Sequence, residues 1–66
     1  MKNRLKVARA ELDITQGELA ERIGVTRQAV NSIELGKYVP SAVLALKMAK
    51  LFGKHVEELF ILEDDD

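Results

Sequence analysis

The sequence predicts an all-α fold of five short helices, and three observations carry that reading. Apolar residues recur at helical spacing, first Leu5, Ala8 and Leu12, then Leu19, Ala20 and Ile23, then Val30 and Ile33. Thr15, Thr26 and Ser41, each with a hydroxyl able to cap a helix, stand just before successive apolar windows. Gly24, Gly36 and Gly53 stand where those windows stop and the chain must turn.

Length and composition bound the answer. Sixty-six residues make one domain, spanning 1–66, and so short a chain buries a modest core that needs good packing or a second copy. There is no cysteine, so neither a disulfide framework nor a cysteine-based zinc site is available. No apolar run reaches the length of a membrane span, and the N-terminus lacks the apolar region of a signal peptide. A soluble, cytoplasmic protein is the expectation. The formal net charge is −1, but it is unevenly spread. Glu63, Asp64, Asp65 and Asp66 contribute −4, which leaves +3 on the first 62 residues (ten basic, seven acidic). This acidic tail, 63–66, reads as a solvated, frayed end.

The first helix carries Leu5, Ala8 and Leu12 as its buried stripe, with Val7 off that stripe and Lys6 and Arg9 on the same helix. Asp13 and Ile14 form the connection. Thr15 then opens the second helix. Its hydroxyl can accept from the N–H of Glu18, whose carboxylate can reach back to the N–H of Thr15, a capping box. Ile14 and Leu19 have the spacing of a hydrophobic staple across that cap. Gln16 is the first helical residue. Gly17 follows at a cost of up to roughly 1 kcal/mol relative to alanine. Gly24 makes the turn, and Thr26 caps a third helix of about Arg27 to Leu35. Val30 and Ile33, with Ala29 beside them, point one way. Arg27, Gln28, Asn31 and Ser32 point the other, at i, i+1, i+4 and i+5.

Pro40 and Ser41 start the fourth helix, Ala42 to Phe52, which is apolar on two faces. Ala42, Ala45, Ala49 and Phe52, with Leu46, are expected to close the core. Leu44, Met48 and Leu51 form a second stripe that so small a domain cannot also bury, so it is expected to meet a second copy of the chain. Val56, Leu59 and Phe60 mark a short fifth helix, with Glu57 and Glu58 well placed against its N-terminal dipole. His55 stands before it as a poor cap. A lone histidine without cysteine or a second histidine nearby is no metal site.

The stretch from Thr15 to Gly36, TQGELAERIGVTRQAVNSIELG, resembles the helix-turn-helix of the Cro and phage-repressor (XRE-like) family. Counted from Gln16, the small Ala20, the turn Gly24 and the apolar Val30 and Ile33 fall where that motif has them. The likeness reaches out to Arg9, to Glu34 and to GKYVPS, and covers the chain to about Phe60. It implies a five-helix phage-repressor-like domain, with the helix-turn-helix at 16–35 and the third helix reading DNA. Arg27, Gln28, Asn31 and Ser32 would then contact bases, Gln28 suiting adenine and Arg27 a guanine or a phosphate. Gln16, Thr26, Lys37 and Tyr38 would contact the DNA backbone, where Gln16 also braces a side chain of the third helix. Arg9 and Glu34 would form a buried ion pair.

Short stand-alone members of the family end in a segment resembling this one. By that resemblance residues near Lys2–Leu5 pair with Phe60–Glu63 as a small antiparallel sheet, the alternative being a longer fifth helix. The dimer interface would then comprise Leu44, Met48, Leu51, Phe60, Ile61 and Leu62. Four positions depart from the family's habit: Gly17, where a better helix former is common; Leu35, where a polar residue is more frequent; Val39, often asparagine; and His55, often serine.

The function implied is a DNA-binding transcription regulator, used as a repressor, whose partners are double-stranded DNA and its own second copy. No cofactor, metal, membrane or small-molecule ligand is expected. The acidic tail would repel phosphates and weaken non-specific binding. An antitoxin-type protein, or an adaptor that has lost DNA binding, would use the same fold to hold a protein partner. No Ser/His/Asp or paired-carboxylate arrangement and no phosphate-binding glycine loop suggest an enzyme.

Overall fold

Every buried residue of the domain is apolar. The computed structural model, which describes residues 1–66, gathers Leu5, Ala8, Ile14, Leu19, Ala20, Ile23, Val30, Ile33, Leu44, Met48, Ala49, Leu59 and Phe60 into one core. The elements run β1 (Lys2–Asn3), α1 (Leu5–Leu12), α2 (Gln16–Ile23), α3 (Arg27–Glu34), α4 (Ala42–Phe52), α5 (Val56–Leu59) and β2 (Phe60–Ile61). The five helices enclose the core within a body of 31 × 23 × 20 Å. No helix is long and apolar enough to cross a membrane.

Local chemistry explains where each helix begins and ends. Thr15 Oγ1 accepts from the N–H of Glu18 (3.1 Å) while Glu18 Oε1 accepts from the N–H of Thr15 (3.1 Å), so both halves of the capping box are formed. Thr26 Oγ1 accepts from the Ala29 N–H, and Ser41 Oγ from the Leu44 N–H. At α5, Glu58 Oε1 accepts from the N–H of His55, whose ring makes no capping bond. α1 ends at Asp13, which takes a left-handed conformation (φ 55°) that a short polar side chain tolerates. α2 ends at Gly24 (φ 76°), where an added Cβ would meet nothing within 4 Å. Backbone conformation, not space, therefore selects glycine at this turn.

The terminal segments pair. β1 and β2 form a two-stranded antiparallel sheet with Lys2 opposite Ile61 and Asn3 opposite Phe60. The Arg4 N–H extends the ladder to the Leu59 carbonyl at 2.8 Å. α5 thus stops at Leu59, and Phe60 turns to extended backbone. The acidic tail makes a turn of its own, in which the Glu63 N–H donates to Asp66 Oδ2 and the Asp66 N–H to the Glu63 carbonyl.

Two expectations about burial require correction. On α4 the phase is rotated: Leu44 (9% exposed), Met48 (0%) and Ala49 face the core, whereas Val43 (65%) and Leu46 (62%) face outward. Ala42 is exposed, and Ala45, Leu51 and Phe52 are half-buried. Leu44 and Met48 therefore do not offer an interface to a second copy, and neither does Phe60, which is buried beside them. The physical reason is volume. A core bounded by α2 and α5 gains more apolar area from Leu and Met than from alanine, so the bulky stripe turns inward. Of the remaining expected interface residues, Leu51 and Ile61 are half-buried and Leu62 is exposed. On α1, Leu12 is partly exposed because it is the last helical residue, just before the chain turns away at Asp13.

Candidate nucleic-acid interface

α2 and α3 are joined through Gly24 and Val25, with the Val25 N–H returning to the Ala20 carbonyl at 3.0 Å. Leu19, Ala20 and Ile23 of α2 and Val30 and Ile33 of α3 turn into the core. That burial fixes the roll of α3 and leaves Arg27, Gln28 and Asn31 exposed and Ser32 half-buried on its other face. Gln16 joins these four residues around one shallow depression without an apolar side chain. Thr26, Gln28, Ala29, Ser32 and Tyr38 line a second depression next to it. Thus seven of the eight residues expected to touch DNA lie around two adjoining hollows. Lys37 lines neither; it is exposed on the turn after α3, where its N–H donates to the Ser32 carbonyl. Leu35, which continues this outward face, is exposed just beyond the last turn.

A polar network braces this face from behind. Arg9 on α1 and Glu34 at the end of α3 pair through two hydrogen bonds, Nε to Oε2 and Nη2 to Oε1, the latter at 3.0 Å. Arg9 Nη1 also donates to the Ile14 carbonyl at 3.1 Å, which ties α1 to the start of α2. Gln16 Nε2 donates both to Glu34 Oε1 (3.0 Å) and to Asn31 Oδ1 (3.1 Å). Three helices are therefore linked through one carboxylate. Burial pushes the Glu34 carboxyl up, but the hydrogen bonds from Arg9 and Gln16, with the nearby charges of Arg9 and Lys6, outweigh it. The group is held below the ordinary carboxylate value. The Arg9 guanidinium is raised in turn, chiefly by its hydrogen bond to Glu34.

One side chain escaped the sequence reading. Asn3, placed there in a short polar end, sends Nδ2 to the Ile33 carbonyl (2.8 Å) and toward the Glu34 carbonyl (3.5 Å), while its Oδ1 accepts from the Leu5 N–H (3.3 Å). It therefore satisfies carbonyls at the C-terminus of α3 and an amide at the N-terminus of α1. The available signal was an asparagine two residues before the first helical residue, Leu5. Its long-range partner could be known only once β1 was paired with β2.

Two short helices set at a glycine turn, with one apolar face buried and a braced polar face outward, define a helix-turn-helix. Residues 5–59 match the helix-turn-helix family profile, and the chain belongs to that family. It is 53% identical over 66 residues, covering the whole of both chains, to a protein of Methanocaldococcus jannaschii described as an uncharacterized HTH-type transcriptional regulator. A Bacillus subtilis relative with the same description, YgzD, is 48% identical with both chains fully covered. Another, from Methanothermobacter thermautotrophicus, is 47% identical over 98% of this chain and 96% of its own.

Proposed function

We propose that the chain is a sequence-specific transcription repressor that binds a near-palindromic operator as a homodimer, with α3 of each copy in the major groove. The observation that carries this reading is the convergence of Gln16, Arg27, Gln28, Asn31 and Ser32 on one polar, outward surface backed by a rigid network. A helix presented in this way fits the major groove, and its side chains reach base edges. Gln28 is exposed and makes no hydrogen bond within the chain, so both ends of its amide are available to adenine. Tyr38 and Thr26 flank α3 and suit phosphates. Gln16 serves the backbone through its main chain. The capping box engages the N–H groups of Thr15 and Glu18, leaving those of Gln16 and Gly17 for an anion at the helix N-terminus.

The dimer reading rests on a different surface from the one first expected. Val43 and Leu46 on α4 and Leu62 (79% exposed) are large apolar groups in the open. Leu62 also lines a groove with Met1, Pro40, Ala45, Val56, Glu57 and Phe60. A near-palindromic operator requires that the two-fold contact set the two α3 helices about one helical turn of DNA apart, roughly 34 Å.

Selection from random duplex DNA tests the proposal. Enrichment of an inverted repeat is the expected result. A pool that stays random after repeated rounds would remove the repressor reading. An enriched single half-site bound by a monomer would remove the dimer.

A further inference from the structure

We infer that Leu35 reads a thymine, through apolar contact with its C5 methyl group in the major groove. This deepens the proposed DNA-binding role and rests on it. With about 100° between successive helical residues, Leu35 falls between Asn31 and Gln28, near the middle of the outward face of α3. Its N–H still donates to the Asn31 carbonyl at 3.0 Å and its backbone stays helical (φ −76°, ψ −5°), so the phase holds to this residue. The chain then turns at Gly36, and the N–H groups of Lys37 and Tyr38 return to the Ser32 carbonyl (3.0 and 3.3 Å). Leu35 is left 61% exposed and belongs neither to the core nor to the apolar residues packed against it. It is the one large apolar side chain on a face otherwise made of Arg27, Gln28, Asn31 and Ser32.

Chemistry narrows what this leucine can meet. It has no donor for a phosphate. In the major groove the edges of guanine, adenine and cytosine offer donors and acceptors, and thymine alone adds a methyl group. Leucine against that methyl removes apolar surface from water on both sides and breaks no hydrogen bond. From Arg27 to Leu35 the helix rises about 12 Å, roughly three to four base pairs, so the two side chains address different bases. The setting favours DNA over a protein partner. Arg27 and Lys37 lie on or beside this face, and Glu34, the acid nearest in sequence, is turned back to Arg9 and Gln16. Leu35 is therefore a specificity-determining residue that adds an apolar contact to the polar ones around it.

The test compares sites selected from random duplex DNA by the wild type, Leu35→Ala, Leu35→Asn and Leu35→Met. One thymine preference of the wild type is expected to persist in Leu35→Met and to vanish in Leu35→Ala and Leu35→Asn. That thymine is then replaced by uracil, which lacks only the methyl group and keeps the same pairing. The wild type is expected to bind the uracil duplex roughly fourfold more weakly, the effect of burying one methyl group, while Leu35→Ala binds both duplexes alike. Because Leu35 is exposed, all three variants should keep the wild-type midpoint in urea. A folded Leu35→Ala that selects the same bases as the wild type would overturn the inference. Equal uracil losses in the wild type and Leu35→Ala would overturn it too, by giving the methyl contact to another residue. Unchanged base preference with weakened self-association would assign the leucine to a protein contact instead. A wild type that selects no site removes the DNA-binding proposal and this inference with it. A selected site that the wild type binds equally well with uracil at every thymine removes the inference alone.

Discussion

The two sides of this domain are held by different forces. On the side of α2 and α3, helices are fixed relative to one another by directional polar contacts among Arg9, Glu34, Gln16 and Asn31. On α4, contact with the core is made by the apolar Leu44, Met48 and Ala49, and part of the apolar surface on this side remains exposed at Val43, Leu46 and Leu62. Apolar burial sets the roll of each helix, and directional hydrogen bonds add fixed distances and angles between particular side chains. A surface that must match base edges needs that added order. A surface that must meet another apolar surface is served by burial alone. Under the proposed function, the first side would serve recognition and the second association.

The largest expected effect breaks the polar side. Arg9→Ala leaves the Glu34 carboxylate without its main partner in a site where it is 7% exposed, and should lower unfolding stability in urea by about 3–5 kcal/mol. Within the apolar side, Met48→Ala should lose about 2–5 kcal/mol as a fully buried side chain is removed, while Leu46→Ala should change the stability of the folded protomer by about 0.5 kcal/mol or less. Equal losses at the two positions would mean that the phase of α4 is wrong. Leu46→Glu with Val43→Glu sharpens the same point by sedimentation. The pair should give folded monomers, and an intact dimer would place the contact elsewhere.

Acidification probes Glu34 without mutation. Glu34 titrates below the ordinary carboxylate value in the folded protein. Its contribution is therefore fully present above the unfolded carboxylate pKa of about 4.3 and is lost as pH falls through the lower folded value. Stability measured by urea unfolding should include this contribution from neutral pH to about 5 and lose it below about 4, and the loss should be smaller in Glu34→Gln. A smaller effect is expected at Asn3. Asn3→Ala should cost about 1 kcal/mol, because it frees a carbonyl at the end of α3 and an amide at the start of α1. Smallest is Gly17→Ala. An added Cβ would meet only Thr15 Oγ1, at 3.8 Å, so the variant should gain up to about 1 kcal/mol in thermal or urea unfolding.

The same contrast explains what the sequence could reveal. Thr15 with Glu18, Thr26, Ser41, Gly24 and Gly53 act within a few residues of their partners, and their spacing alone located the helices. The boundaries of α4 were legible for that reason. Its phase was legible only from Lys47 and Lys50, which share the exposed side with Val43 and Leu46 and leave the bulky Leu44 and Met48 to the core. Resemblance to the phage repressors pointed to Arg9 with Glu34 and to the terminal sheet. Pattern alone would have left Met1–Arg4 as a frayed end. Asn3 stayed hidden because its partners are 30 and 31 residues away.

The account is tested most directly by the affinity of the wild-type protein for its best selected duplex and for a scrambled duplex of the same composition, both measured across a range of salt. Binding to the selected site at least ~10³-fold tighter at physiological salt is the predicted result. Equal affinities that fall together and steeply as salt rises would contradict it, and would reduce the braced polar face of α3 to a generic electrostatic contact.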